Sequence, residues 1–278
     1  MKLQLTYCHL TNSILIVSLL LSFSSCKKGC NDPYARNYNK SVKKNHHSLC
    51  NYGFIEVKDT PYQPFFEIES ATLIRIQHED LVYSGKYYYL TPNFDYYAFF
   101  TTNKGASNIP CGELTFSDYK YGDTVVRTLP LRLDNSYSSF FKLNIYGASG
   151  LTPQIKWTGS GGAWPAFTVV ADAQLPKATS FSSHNPKLNS EYVLTVSGVA
   201  DADSILYEIY GQQAILRKMS ASSQYTHAFL KDEINSLGFG PAVIKIIALK
   251  YDKQVVDGKT YNLVFGKDLI GNYFVERN

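Results

Sequence analysis

The sequence predicts an all-β protein: two β-sandwich domains, the second immunoglobulin-like, following a removable leader and a short cysteine-bounded spacer. Three observations carry that expectation. Tyr at 22 and Phe at 16 against two Met, among 278 residues, suit pleated sheets and disfavour long helices. Apolar residues recur in short alternating runs, the period of a half-buried strand. Gly, Asn, Asp and Pro punctuate those runs at the spacing of turns between short strands, the pattern of a sandwich or barrel-like sheet.

The leader comes first. Lys2 supplies a sparse positive start, and Ile14 to Phe23 is an apolar run too short to span a bilayer but long enough for a signal core. Ser24 and Ser25 then precede Cys26. That order resembles the bacterial lipobox, in which the cysteine is diacylated and the peptide is cut before it. Phe23 departs from the small or aliphatic residue usual at its place. The resemblance implies lipidation at Cys26, with palmitate-type acyl chains anchoring the chain to the outer membrane without spanning it. Lys27 and Lys28 do not match the acidic signal that accompanies surface display in some Bacteroidota, so the periplasmic and outward faces both stay open.

Cleavage before Cys26 leaves 253 of the 278 residues, enough for two domains with sizeable cores. Lys2 is the one basic residue lost, so 27 Lys and Arg become 26 against 23 Asp and Glu, a charge of +3. The basic residues are scattered along the chain, which is no nucleic-acid footprint. Cys8 leaves with the leader and Cys26 goes to the lipid, so Cys30, Cys50 and Cys111 face an oxidising space. Three thiols allow one bridge, for which Cys30 and Cys50 are the natural pair. Cys111, in a Pro-Cys-Gly turn, is left as a lone, partly buried thiol.

Residues 29–52 read GCNDPYARNYNKSVKKNHHSLCNY. Gly29, Cys30, Asp32, Pro33, Ala35, Asn37, Tyr38 and Asn39, then Ser48, Cys50 and Tyr52, resemble a cysteine-bounded motif repeated in secreted and surface proteins of Bacteroidota. Relatives carry an acidic Asp-Asp-Gly before the final Ser-Cys. This chain has Lys43, Lys44, His46 and His47 there, so a divalent-cation role of the acidic version does not carry over. His46 and His47 beside Cys50 offer zinc-type ligands, but adjacent side chains diverge on extended backbone and a bridge consumes the thiol. The segment is read as a spacer, too small for a core of its own and stabilised by about 3 kcal/mol through its closed loop.

Domain one is expected over 54–171. Leu73 to Ile76, Leu81 to Tyr83, Tyr87 to Leu90, Phe94 to Thr102, Glu113 to Tyr121, Thr124 to Leu133 and Ser138 to Tyr146 read as strands. Ser84-Gly85-Lys86 marks a compact hairpin. Tyr96, Tyr97 and Trp164 are candidate ligand contacts, because exposed aromatic faces stack on sugar rings. The competing reading buries half of each aromatic run in the core. The loop between Trp157 and Trp164 is glycine-rich but is followed by no Lys-Ser/Thr and no helix pattern, which excludes a phosphate cradle.

The Pro, Ser and Asn of 172–190 read as the connection to domain two, 172–278. Tyr192 to Val196, Ser204 to Tyr210, Ala214 to Lys218, Tyr225 to Leu230, Ala242 to Tyr251, Lys259 to Phe265 and Asn272 to Val275 are its expected strands, with one helical turn in 231–237. Asp201 and Asp203 read as a turn and not as a calcium loop, which would need further acids. Asp123-Thr124-Val125 and Asp203-Ser204-Ile205 resemble the three-residue O-glycosylation acceptor of Bacteroidota. Residues 151–168, LTPQIKWTGSGGAWPAFT, with the later Val-Ala-Asp-Ala-Asp-Ser, resemble a group of uncharacterised small Bacteroidota lipoproteins that run from signal through an extended β region to a terminal β domain and have no known activity.

No Gly-x-Ser-x-Gly turn and no His-Glu-x-x-His helix occurs, and His78-Glu79-Asp80 are consecutive residues that do not converge on one point. Carboxylate pairs of glycoside hydrolases are assembled only in space and stay open. The functional expectation is a non-catalytic envelope lipoprotein, structural or protein-binding, without cofactor or metal. Its partners are the membrane and another envelope protein or a glycan. Glycan capture is the alternative, and a glycoside hydrolase stands behind it.

Overall fold

The computed structural model describes residues 28–33, 35–45, 49–51, 70–84, 87–101, 109–120, 124–134, 140–145, 154–172, 174–182 and 184–277. The chain divides into two compact units, residues 1–54 and 55–278. In the first, strands β1 (Lys28–Gly29) and β2 (Lys44–Asn45) pair in parallel. The Cys30–Cys50 bridge expected from the cysteine arithmetic is present, with its Cα atoms 4.8 Å apart. Asn37 works as a second fastener: its Nδ2 donates to the Leu49 carbonyl at 2.7 Å and its Oδ1 accepts from the Asn51 amide at 2.7 Å. A Cβ on Gly29 would meet Val42 Cγ2 at 2.8 Å, which accounts for the glycine beside Cys30. Among its described residues the buried apolar ones are Cys30, Ala35 and Val42, and these residues depend on the bridge and on polar ties more than on a core.

The second unit is almost wholly strand. In chain order come β3 (Ser70–Ser84), β4 (Tyr87–Thr101), β5 (Leu114–Lys120), β6 (Thr124–Asp134), β7 (Phe140–Ile145), β8 (Gln154–Gly159) and β9 (Phe167–Asp172). They are followed by β10 (Ser180–Ser182), β11 (Tyr192–Ser197), β12 (Ser204–Tyr210), β13 (Ile215–Ala221) and β14 (Thr226–Phe229). The helix α1 (Lys231–Ser236) then leads into β15 (Gly240–Val256) and β16 (Lys259–Val275). Eleven strands form one sheet, ordered β13-β12-β15-β16-β3-β4-β7-β6-β5-β8-β9, and β10-β11-β14 form a second.

Both sheets pack into sandwiches, and the expected all-β class holds. In the first, Leu73 of β3, Tyr96 and Phe100 of β4 and Leu263 of β16 face Phe116 of β5, Trp157 of β8 and Val169 of β9. Strand β6 joins the two layers, pairing with β5 from Thr124 to Leu131 and with β7 from Arg132 to Asp134. In the second, the three-stranded sheet supplies Tyr192, Leu194 and Phe229 against Ile205, Tyr207, Ile244 and Ile246 of the larger one. Three strands (β10, β11, β14) on four (β13, β12, β15, β16) is an immunoglobulin-like arrangement held by packing alone, since no cysteine lies within it.

The β15–β16 hairpin belongs to both sandwiches. Its strands pair without a break from Gly240↔Val275 to Val256↔Lys259. The two-residue turn uses Asp257 at φ 48° and Gly258 at φ 73°, the left-handed pair that a tight hairpin requires. Near its base β15 pairs with β12, over Val243 to Leu249. Near its tip β16 pairs in parallel with β3, Thr260↔Ser70 to Lys267↔Gln77. The odd-numbered side chains of β16 therefore enter two cores in turn: Tyr261, Leu263 and Phe265 the first, Leu269, Tyr273 and Val275 the second. At the tip, Gln254 Nε2 donates to the Val170 carbonyl at 2.9 Å, setting β15 beside β9.

Several strands are longer than expected. Leu73 to Ile76 and Leu81 to Tyr83 are one strand, and Tyr87 to Leu90 runs on through Phe94 to Thr101, because the polar interruptions His78-Glu79-Asp80 and Thr91-Pro92-Asn93 lie opposite each other and neither turns the chain; Thr102, the expected last residue, lies outside the described residues. Lys259 to Phe265 and Asn272 to Val275 likewise merge. Gly266, one residue past the expected end at Phe265, sits mid-strand where an added Cβ would press on Ile247, Ile76 and Leu249 at 3.2 to 3.3 Å. The 172–190 stretch is ordered across its described residues, placing Leu175 in the first core and Ala178 in the second.

Burial of the shared strand yields a quantitative expectation. Leu263→Ala should lower stability in urea unfolding by about 2–5 kcal/mol. Val255→Ala, on the same hairpin but exposed, should change it by less than about 0.5 kcal/mol.

Candidate functional site

The residues singled out from sequence fall inside the cores. Tyr96, Tyr97 and Trp164 are 0%, 2% and 1% exposed. Tyr96 points into the first core, its ring centroid 4.1 Å from that of Phe116 and 5.9 Å from that of Trp157. Tyr97 faces the opposite side of β4, where its hydroxyl donates to Asp95 Oδ2 at 2.9 Å. Trp164 sits edge-on to Tyr261 and donates from Nε1 to the Tyr261 hydroxyl oxygen at 3.1 Å. The three do not converge, and none offers a face to solvent for a sugar ring. The expected stacking surface is corrected accordingly: alternation along β4 and the Trp164 hydrogen bond place these rings in packed interiors.

Other candidates resolve in the same direction. Cys111 is buried and unbridged, and burial pushes its thiol up to about 12, so it stays protonated and unreactive. Asp203 Oδ2 accepts from the Tyr251 amide at 2.7 Å, and Asp201 takes φ 56°, a turn geometry. Ser204, one of the two acceptor-pattern hydroxyls, is buried with its Oγ 2.5 Å from the Tyr251 hydroxyl. His184 packs on Tyr192 and His227 on Tyr207 and Phe229. Cys26, His46 and His47 lie outside the described residues, as do the side chains of His78 and Thr124. Among the described residues, no group of three or more His, Cys, Asp or Glu is arranged to hold a metal, and no helix is long and apolar enough to cross a membrane.

What the sequence reading missed is a buried polar cluster on the face of the large sheet that points away from the second core. Glu208 of β12 is 3% exposed at its side chain. Its Oε1 accepts from Arg217 Nε of β13 at 2.6 Å, and its Oε2 accepts from the Tyr210 hydroxyl at 2.8 Å. Burial first, and then the Glu208 charge, push the Tyr210 hydroxyl up to about 12, so it remains a donor. Lys245 of β15 lies directly opposite Glu208 in the ladder. Lys245 Nζ approaches Asp268 Oδ2 of β16 at 3.5 Å, with side chains 6% and 1% exposed. Two carboxylates and two cations thus sit together on four neighbouring strands.

Alternation builds this cluster. Glu208 and Tyr210 occupy the parity of β12 opposite to Ile205, Tyr207 and Ile209, and Lys245 occupies the parity of β15 opposite to Ile244 and Ile246. Toward the β3 side the same face carries an apolar cluster, with Leu206, Ile247, Leu249, Val264, Ile74 and Tyr97 all buried, beside the buried carboxylate of Asp95. The signal was a single charge set in each of two runs otherwise without charge, SILYEIY and AVIKIIAL. Both runs read as strands, but the charges were assigned to no face.

Comparison with known proteins adds little. No family model matches the chain, and no curated protein matches it. Among solved structures it is similar to the fibronectin(III)-like modules of CbhA from Clostridium thermocellum, at 14% identity over 79% of this chain and 93% of that one. The TM-score of 0.23 is too low to argue from.

The ion-pair geometry leads to a test by substitution. Arg217→Met leaves the Glu208 carboxylate buried with Tyr210 as its remaining donor in this group, and should cost about 1–3 kcal/mol in urea unfolding. Adding Glu208→Leu to it should recover part of that loss, because the pair is then replaced by apolar groups and no charge is stranded.

Proposed function

We propose that this chain is a non-catalytic cell-envelope lipoprotein, held at the outer membrane by acyl chains on Cys26, whose sandwiches serve as a structural or protein-binding module. The observation that supports this most is the β15–β16 hairpin shared by both cores. A hinge between the sandwiches would have to break the β16–β3 ladder and expose Tyr261, Leu263 or Phe265, so the two move as one body. A body of that kind offers a partner a surface of fixed geometry. A catalytic cleft, by contrast, commonly sits between elements that open and close. Burial of Tyr96, Tyr97 and Trp164 removes the feature on which glycan capture was argued.

Two measurements test the reading. Cys26→Ala should abolish incorporation of a palmitate analogue and release the chain from membranes; continued labelling or membrane retention would contradict the anchor. A soluble form, residues 27–278, should show no saturable binding and no turnover across a glycan array, and either result would replace the bracing role with carbohydrate recognition or hydrolysis.

A further inference from the structure

We propose that Lys245 and Asp268 join covalently, as an intramolecular amide that cross-links β15 to β16 on the buried face of the large sheet. Three observations converge on this pair. Lys245 Nζ and Asp268 Oδ2 are 3.5 Å apart, and the side chains are 6% and 1% exposed. The strands are held in one register along their whole length, so the backbone positions that carry the two groups stay fixed while the hairpin is closed. Ile247 lies directly opposite Asp268, and Leu206 directly opposite Ile247, so an apolar patch adjoins the pair. Two full charges in that setting carry a desolvation penalty of several kcal/mol each, whereas a neutral amide carries far less.

The chemistry needs no oxidant, reductant or activating group. One proton passes from the Nζ ammonium to the Asp268 carboxylate, leaving a neutral amine and a carboxylic acid. The Nζ lone pair attacks Cγ, and the C–N bond forms. A second Nζ proton moves to the departing hydroxyl, the C–O bond breaks and one water leaves. Glu208, opposite Lys245 across the β12–β15 ladder and fixed by Arg217 and Tyr210, is the carboxylate that relays this second proton. Amide condensation is unfavourable in water, but an intramolecular nucleophile oriented on its electrophile can reach an effective molarity of about 10⁵–10⁸ M. The bond forms only after the hairpin has folded, since unfolded chains bring the two groups together rarely.

Peptide mapping of the full chain, purified in detergent, decides the matter. The expected result is a branched peptide joining the Lys245 and Asp268 segments, lighter by one water than the sum of the two linear peptides and absent from Lys245→Met. Recovery of both segments from the native chain as linear peptides, with no branched species, overturns the proposal and leaves an ion pair only. Glu208→Gln should slow formation of the branched species after refolding by on the order of a hundredfold, the scale of general acid–base assistance. An unchanged rate in that variant removes Glu208 from the reaction.

Discussion

The constraint on which the rest of this structure depends is the uninterrupted pairing of β15 with β16. A strand offers one face to a core, and 17 residues provide more inward positions than a single sandwich uses. The surplus is spent in a second sandwich. Tyr261, Leu263 and Phe265 enter one interior and Leu269, Tyr273 and Val275 the next, with no change of parity between them. Because parity is kept, a one-residue slip of β16 would turn apolar side chains out of both cores at once. Register is therefore specified twice over.

That constraint also explains why the other face of the hairpin is not plain surface. Where β3 and β12 flank the hairpin, the outward positions become enclosed and include both an apolar patch and charged residues. Charges in such a place are paired, as Glu208 is with Arg217 and Lys245 with Asp268. Neutral packing would serve stability equally well, so pairing of this kind points to a specifying or chemical role. The N-terminal unit relies on a different principle. Its described residues are closed by the disulfide and by the two hydrogen bonds of Asn37 to residues 49 and 51, with Cys30, Ala35 and Val42 as their buried apolar side chains.

Much of the fold was legible because β alternation and turn residues are local signals. Ser204 to Tyr210 was bounded to the residue, and the Cys30–Cys50 bridge followed from counting thiols. Strand length was not legible, since a polar triplet such as His78-Glu79-Asp80 looks the same whether it turns the chain or pairs with Thr91-Pro92-Asn93. Nor could the sequence reveal that one hairpin serves two cores, because the β16–β3 pairing joins residues nearly two hundred positions apart. The site fared worse. Tyr96 and Trp164 looked like binding aromatics, and only their neighbours Phe116, Trp157 and Tyr261 show them to be interior. Glu208, Arg217, Lys245 and Asp268 come together from four strands, a juxtaposition that no spacing records.

The claim that one hairpin unifies both cores is tested most directly by equilibrium unfolding followed with two probes. Trp157 and Trp164 are the chain's only tryptophans and both lie in the first core, so fluorescence reports that core alone. Amide exchange in β11 and β14 reports the second. Shared strands predict coincident transitions at one urea midpoint. Two separated transitions, with either core persisting after the other has melted, would contradict the account.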